Sequence, residues 1–173
     1  MSDLILGIDP GSRHTGYGLV SANGDELSHV THGVIDLKES WSLAERLRVL
    51  HLELGSVFAK YSPQSAVIEK IFFGKNADSA FKLGHARGIC LLVAAQHKAS
   101  VEEYAARYVK KCITGSGAAD KQKVQMMVFV HLRMKPVELA FDATDALSLA
   151  VTHARMRGVN QRIKNMLEYE GAP

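Results

Sequence analysis

The chain has 173 residues, 47% of them hydrophobic and 23% charged, proportions of one globular domain with a buried core rather than a disordered tail. Its longest apolar run, ICLLVAA at 89–95, is too short to cross a bilayer. The net charge of +3 permits a polyanionic partner without requiring one, so where the charge lies matters more than its total.

Three strands are expected first, over about 4–9, 15–22 and 26–35, separated by DPGSR and ANGDE, both rich in turn formers. They form an antiparallel meander. In SLAERLRVLHLELGSVFAKY, residues 42–61, Leu43, Leu47, Leu50, Leu54 and Val57 recur at helical spacing, with Ser42 as N-cap and Glu45 at the capping-box position. SAVIEK is a short buried strand ending in an acid, and a long helix follows from about Asn76 to His97. A brief strand near SVEEY, a short helix over 105–112, the glycine-rich TGSGAADK and two further helices complete an α/β pattern with an antiparallel edge on an otherwise parallel sheet. From Gly158 the composition turns polar, so 1–157 is expected to form the domain and 158–173 a frayed or short helical tail. Cys90 and Cys112 have no zinc-like spacing, and Met1 leads almost directly into a strand without an export-type leader. A reduced, cytoplasmic protein is expected.

Four carboxylates carry the chemistry. Asp9 ends the first strand and Glu69 the fourth, while Asp142 and Asp145 lie three apart in FDATDALSLA, on one side of a helix at its first turn. Each has a plainer reading: Asp9 as a turn former before Pro-Gly, Asp142 as the helix cap. Glu69 resists one, because AVIEKIFF holds an acid inside a run of large apolar side chains. Polar groups at strand C-termini line the functional crevice of open α/β sheets. Four acids gathered there repel one another unless divalent cations neutralise them, and oxygen-only donors suit magnesium or manganese rather than zinc. Two such ions, roughly 3.5–4 Å apart, are the apparatus of phosphodiester hydrolysis.

The chain resembles the RuvC-type Holliday junction resolvases of the RNase H-like superfamily from about residue 4 to 157. LGIDPGSRHTGYG, IEKIFFGKNADSAFKLGHARG, EYAARYVKKCITGSGAADKQKVQ and DATDALSLAVTHA are similar to that family's four motifs, in the same order. The resemblance implies an RNase H-like fold with a mixed five-stranded sheet and magnesium-dependent cutting of four-way DNA junctions by Asp9, Glu69, Asp142 and Asp145. It also implies Lys121 close to the scissile phosphate, Lys110 facing the DNA and Phe72 near the junction centre. A homodimer is implied too, together with a branch-migration complex of junction-binding RuvA and helicase RuvB. Lys70 departs from the neutral or acidic residue that many relatives carry there.

The basic residues gather near the same segments: Lys70, Lys75, Lys82 and Arg87 around Glu69, and Lys110, Lys111, Lys121 and Lys123 around the glycine-rich loop. Lys75, Arg87, Lys110 and Lys121 are the expected DNA contacts, since phosphate neutralisation supplies much of DNA affinity. For any one lysine the plainer reading is a solvated helix face. Phe72 is expected to stack on bases and Phe73 to join the core. None of the eight histidines has metalloprotease spacing; His14 lies near the site in a turn. Ala80, Gly84 and Gly88 form a small-residue helix face that either meets a twin chain or packs on its own sheet. GIDPGSRHTGYGLV is also similar to the phosphate-binding hairpin of sugar kinases and actin, but those proteins need about twice this length to close two lobes on ATP. A non-catalytic nucleic-acid-binding module would not need all four acids.

Overall fold

Residues 3–36 build the expected meander: β1 (Asp3–Asp9), β2 (His14–Asn23) and β3 (Glu26–Asp36) pair antiparallel, with a bulge in the β2–β3 ladder between Leu19 and Val20. The computed structural model describes the backbone of residues 2–70 and 77–170 and the side chains of 2–70 and 80–159. After α1 (Leu43–Tyr61), β4 (Ser65–Glu69) joins β1 in parallel; after α2 (Ala77–Gln96), β5 (Ser100–Tyr104) joins β4 in parallel. The strand order is β3-β2-β1-β4-β5. This is the mixed five-stranded α/β sheet that the sequence predicts.

Alternation along the strands sorts the core into two layers. Leu6, Ile8, Leu19, Ala66 and Ile68 face α1 and α2, and pack with Leu50, Leu54, Phe58 and Val93. Ile5, Val20 and Val67 face the other way, toward α3 (Ala106–Thr114), α4 (Lys121–His131) and α5 (Phe141–Glu170). Ser42 caps α1 as expected, accepting from the Glu45 amide at 3.2 Å. The Glu45 carboxylate does not complete a capping box. It turns forward to Arg48 instead.

Two glycines let α5 lie directly on the sheet. A Cβ at Gly7 would collide with the Ala146 carbonyl, and one at Gly16 with the Asp142 carbonyl. The helix bearing two of the candidate acids is therefore pressed onto the strands bearing Asp9. Its first helical hydrogen bond runs from the Thr144 amide to the Ala140 carbonyl, so Ala140 occupies the cap position and Asp142 lies inside the first turn. The reading of Asp142 as a simple cap falls. The composition change at residue 158 lies within α5, which continues to Glu170.

The small-residue face of α2 does not pack on its own sheet. Among the described residues of α2, Ala86, Cys90, Val93 and Ala94 are the ones buried there. Gly84 and Gly88 point the other way, with nothing within 4 Å of a Cβ placed on either. Among the described residues no helix is long and apolar enough to cross a membrane.

Candidate active site

Asp9 and Glu69 meet because β1 and β4 run parallel in register, Ile8 beside Ile68, and both strands end at the same edge. On the far side of β4, Glu69 is paired with Tyr104 of β5. Asp145, one turn into α5, faces them. These three acids line one cavity of about 310 Å³ with Lys110 of α3 and Lys121, the first residue of α4. The Lys121 ammonium lies 3.4 Å from Asp145 Oδ2 and 5.5 Å from the Phe141 ring centroid, held between a carboxylate and an aromatic face. Asp120 anchors that helix start by accepting from the Lys123 amide at 2.7 Å.

The electrostatics follow from the crowding. Burial, then the charges of Glu69, Asp145 and Asp142, push the Asp9 carboxyl from 3.8 up to about 8, and a hydrogen bond with Glu69 lets the two share a proton. Burial also raises Glu69, against the opposing pull of Asp9's hydrogen bond and of Lys121 and Lys110. It raises Asp145 despite the adjacent Lys121. Three carboxyls held above their ordinary range are short of positive charge. An all-oxygen set of this kind suits a hard divalent cation. The donor chemistry of the three acids fits such an ion, although among the described residues no group of three or more His, Cys, Asp or Glu is gathered tightly around one point.

Asp142 stands apart from the other three. It lines a second cavity of about 640 Å³ with Gly11, Ser12, Arg13, His14 and Arg46, while its charge still reaches Asp9. Asp142 and Asp145, three residues apart and so about 300° of rotation along α5, thus line different cavities.

A family model for crossover junction endodeoxyribonuclease RuvC matches residues 5–153. The chain belongs to that family. It is 48% identical over 154 residues to the RuvC of Bdellovibrio bacteriovorus, covering 89% of this chain and 91% of that protein. It is 44% identical over 160 residues to that of Rhodopseudomonas palustris, covering 92% and 91%. The solved structure of T. thermophilus RuvC in complex with Holliday junction substrate superposes with a TM-score of 0.85 at 28% identity, over 91% of this chain and 96% of that one. The yeast mitochondrial Holliday junction resolvase Ydc2, at 14% identity and a TM-score of 0.70 over 95% and 85%, shares the fold. The protein is thus a RuvC-family endodeoxyribonuclease with an RNase H-like fold, and the family's nucleases are metal-dependent.

Of the other predicted site residues in this RuvC-family chain, Phe72 and Lys75 lie outside the described residues, as does Phe73. Arg87 directs its guanidinium at Glu103 of β5, an ion pair that ties α2 to the sheet edge. His14 Nδ1 is 2.8 Å from Asp36 Oδ1, at the rim of the second cavity. Sequence reasoning missed Arg46, which donates from Nη1 to the Ser12 carbonyl at 3.2 Å across 34 residues of chain. Its place in an amphipathic helix reads as an ordinary surface position, and no local signal marks it.

Proposed function

We propose that this chain resolves four-way DNA junctions by magnesium-dependent phosphodiester hydrolysis, with Asp9, Glu69 and Asp145 as the core of the metal site and Asp142 at its edge. The observation that carries this reading is the convergence of three partly buried carboxyls from β1, β4 and α5 on one cavity that also holds two lysines. Divalent cations, when bound there, lower the pKa of a water and offset charge on the leaving oxygen. The chain's own groups do the rest. Rigid strand ends fix Asp9 and Glu69, so the ligand positions are set before DNA arrives. Lys121, steadied by Asp145 and the Phe141 ring, offers an ammonium to the charge that builds on the phosphoryl oxygens. Lys110, across the same cavity, positions the phosphate backbone.

Paired cutting of a two-fold junction calls for two such sites, and each chain carries one. The exposed face of α2, with Phe81 71% and Leu92 48% accessible around Gly84 and Gly88, is the proposed homodimer contact. The nuclease unit is assigned to residues 1–157 and 158–173 to a tail; the protein works in the cytoplasm with Phe72 and Lys75 as further DNA contacts and with RuvA and RuvB as partners. The test is cleavage of a synthetic four-way junction with and without magnesium, beside a linear duplex of the same sequence. Preference for the junction that disappears with EDTA supports the reading; equal cutting of both substrates overturns it.

A further inference from the structure

A second cavity, lined by Asp142 but by none of the other three acids, gathers three cations. Arg13, Arg46 and Lys82 line it against two acids, Glu39 and Asp142. Arg13 and Glu39 are paired with each other at the rim, both about two-thirds exposed. Arg46 is different. Its Nη1 is tied to the Ser12 carbonyl, its Nε is sealed from solvent without a hydrogen-bond partner, and among the described residues it makes no ion pair. A guanidinium cannot neutralise itself by losing a proton, so a partly buried one without a carboxylate is held at a cost that an anion would offset. The bond to Ser12 fixes its plane and leaves Nη2 for a ligand, since Nε is sealed from solvent.

We propose that this cavity is a phosphate subsite, in which Arg46, seconded by Arg13, holds a backbone phosphate flanking the scissile one on the cut strand. The inference rests on the cutting site proposed above: Asp142 lines this cavity, its charge reaches Asp9, and it lies three residues before Asp145 of the other cavity on α5. A strand whose scissile phosphate lies among the three acids continues past Asp142. The fork of a fixed arginine suits two oxygens of one phosphate, and a contact of this kind sets register rather than reading sequence.

The experiment measures junction affinity in EDTA, where neither ion binding nor cutting intervenes. Junctions carry a single methylphosphonate, a neutral phosphate substitute, at each position flanking the scissile phosphate in turn. Arg46→Gln is expected to weaken wild-type binding about tenfold and to lower the salt slope by about one, with Arg46→Lys recovering part of the loss. One methylphosphonate position should cost the wild-type protein a similar factor and cost Arg46→Gln nothing further. Losses that multiply at every position, as a purely structural arginine would give, overturn the subsite; so does a scan in which no flanking methylphosphonate weakens the wild type. If Arg46→Gln melts below the assay temperature, Arg13→Gln at the exposed rim enters the same cycle, and losses that multiply at every position there overturn the subsite as well. Cleavage by Asp9→Asn tests the cutting site separately: if that variant still cuts, the cutting site falls, whereas the binding cycle alone decides the subsite.

Discussion

At the scale of single residues, Asp9 sets up a conflict between stability and chemistry. Its carboxyl is pushed from 3.8 to about 8 in the folded chain, so the native state binds a proton that the unfolded state releases. Stability from this group is complete below the ordinary carboxylate range and drains away as pH rises toward 8. The metal-free protein is therefore expected to melt at progressively lower temperature from pH 5 to pH 8, and magnesium should recover most of the loss at pH 8, as thermal scans at each pH would record. Asp9→Asn keeps the shape and removes the charge. It should abolish junction cleavage, leave binding in EDTA nearly unchanged, and stabilise the metal-free protein at pH 8 by about 2 kcal/mol. A variant that cuts at the wild-type rate removes Asp9 from the site. Lys121→Ala addresses the other charge: single-turnover cleavage at saturating enzyme should fall about a hundredfold with little change in affinity, whereas Lys110→Ala should chiefly weaken binding. Normal single-turnover cleavage by Lys121→Ala would remove the ammonium from the chemistry.

At the scale of elements, the active site depends on how closely α5 lies on β1 and β2. Gly16 faces the Asp142 carbonyl with no room for a Cβ. Gly16→Ala should force the first turn of α5 outward, costing about 1–3 kcal/mol and at least tenfold in cleavage rate. Gly55→Ala is the control, since a Cβ there meets nothing within 4 Å inside α1; it should be neutral or slightly stabilising. Equal effects of the two substitutions in melting and rate assays would deny the close approach its role. The strands and most helices were legible because alternation, turn residues and caps are local: Ser42 starts α1 and the Gly24–Asp25 turn joins β2 to β3. The acids were legible for a related reason, each ending or opening an apolar element. Long-range placement was not. Whether Asp142 shares the cavity of Asp145 depends on the rotational phase of α5 against the sheet. Arg46 acquires its role through Ser12, and Arg87 through Glu103, contacts that no window of sequence contains. Nor does the polar turn in composition at 158 end α5, because GVNQRIKNMLEYE contains no proline and only its opening glycine to break a helix.

At the scale of the whole molecule, the substrate's symmetry outruns the single chain. A four-way junction is resolved into two duplexes only when two strands of like polarity are cut, and each chain has one acid cluster. The proposed two-fold pair of subunits would supply the second site and match the junction's own approximate symmetry. On α2, Phe81, Gly84, Gly88 and Leu92 follow one another at three- and four-residue steps along a single exposed face. In the proposed dimer the glycines would let two helices approach closely and the apolar pair would supply the burial. In the proposed dimer Leu92→Glu places like charges opposite each other across the two-fold axis, so sedimentation is expected to find a dimer for the wild type and a folded monomer for the variant. The monomer should bind the junction more weakly and release nicked products, as strands labelled separately would reveal. Mixing wild-type with Asp9→Asn chains gives the complementary result without disturbing the contact. An isolated heterodimer with one competent site should nick one strand and leave its symmetry mate intact. If that heterodimer, with subunit exchange excluded, makes both cuts efficiently, one chain performs both reactions and the dimer is not required for resolution.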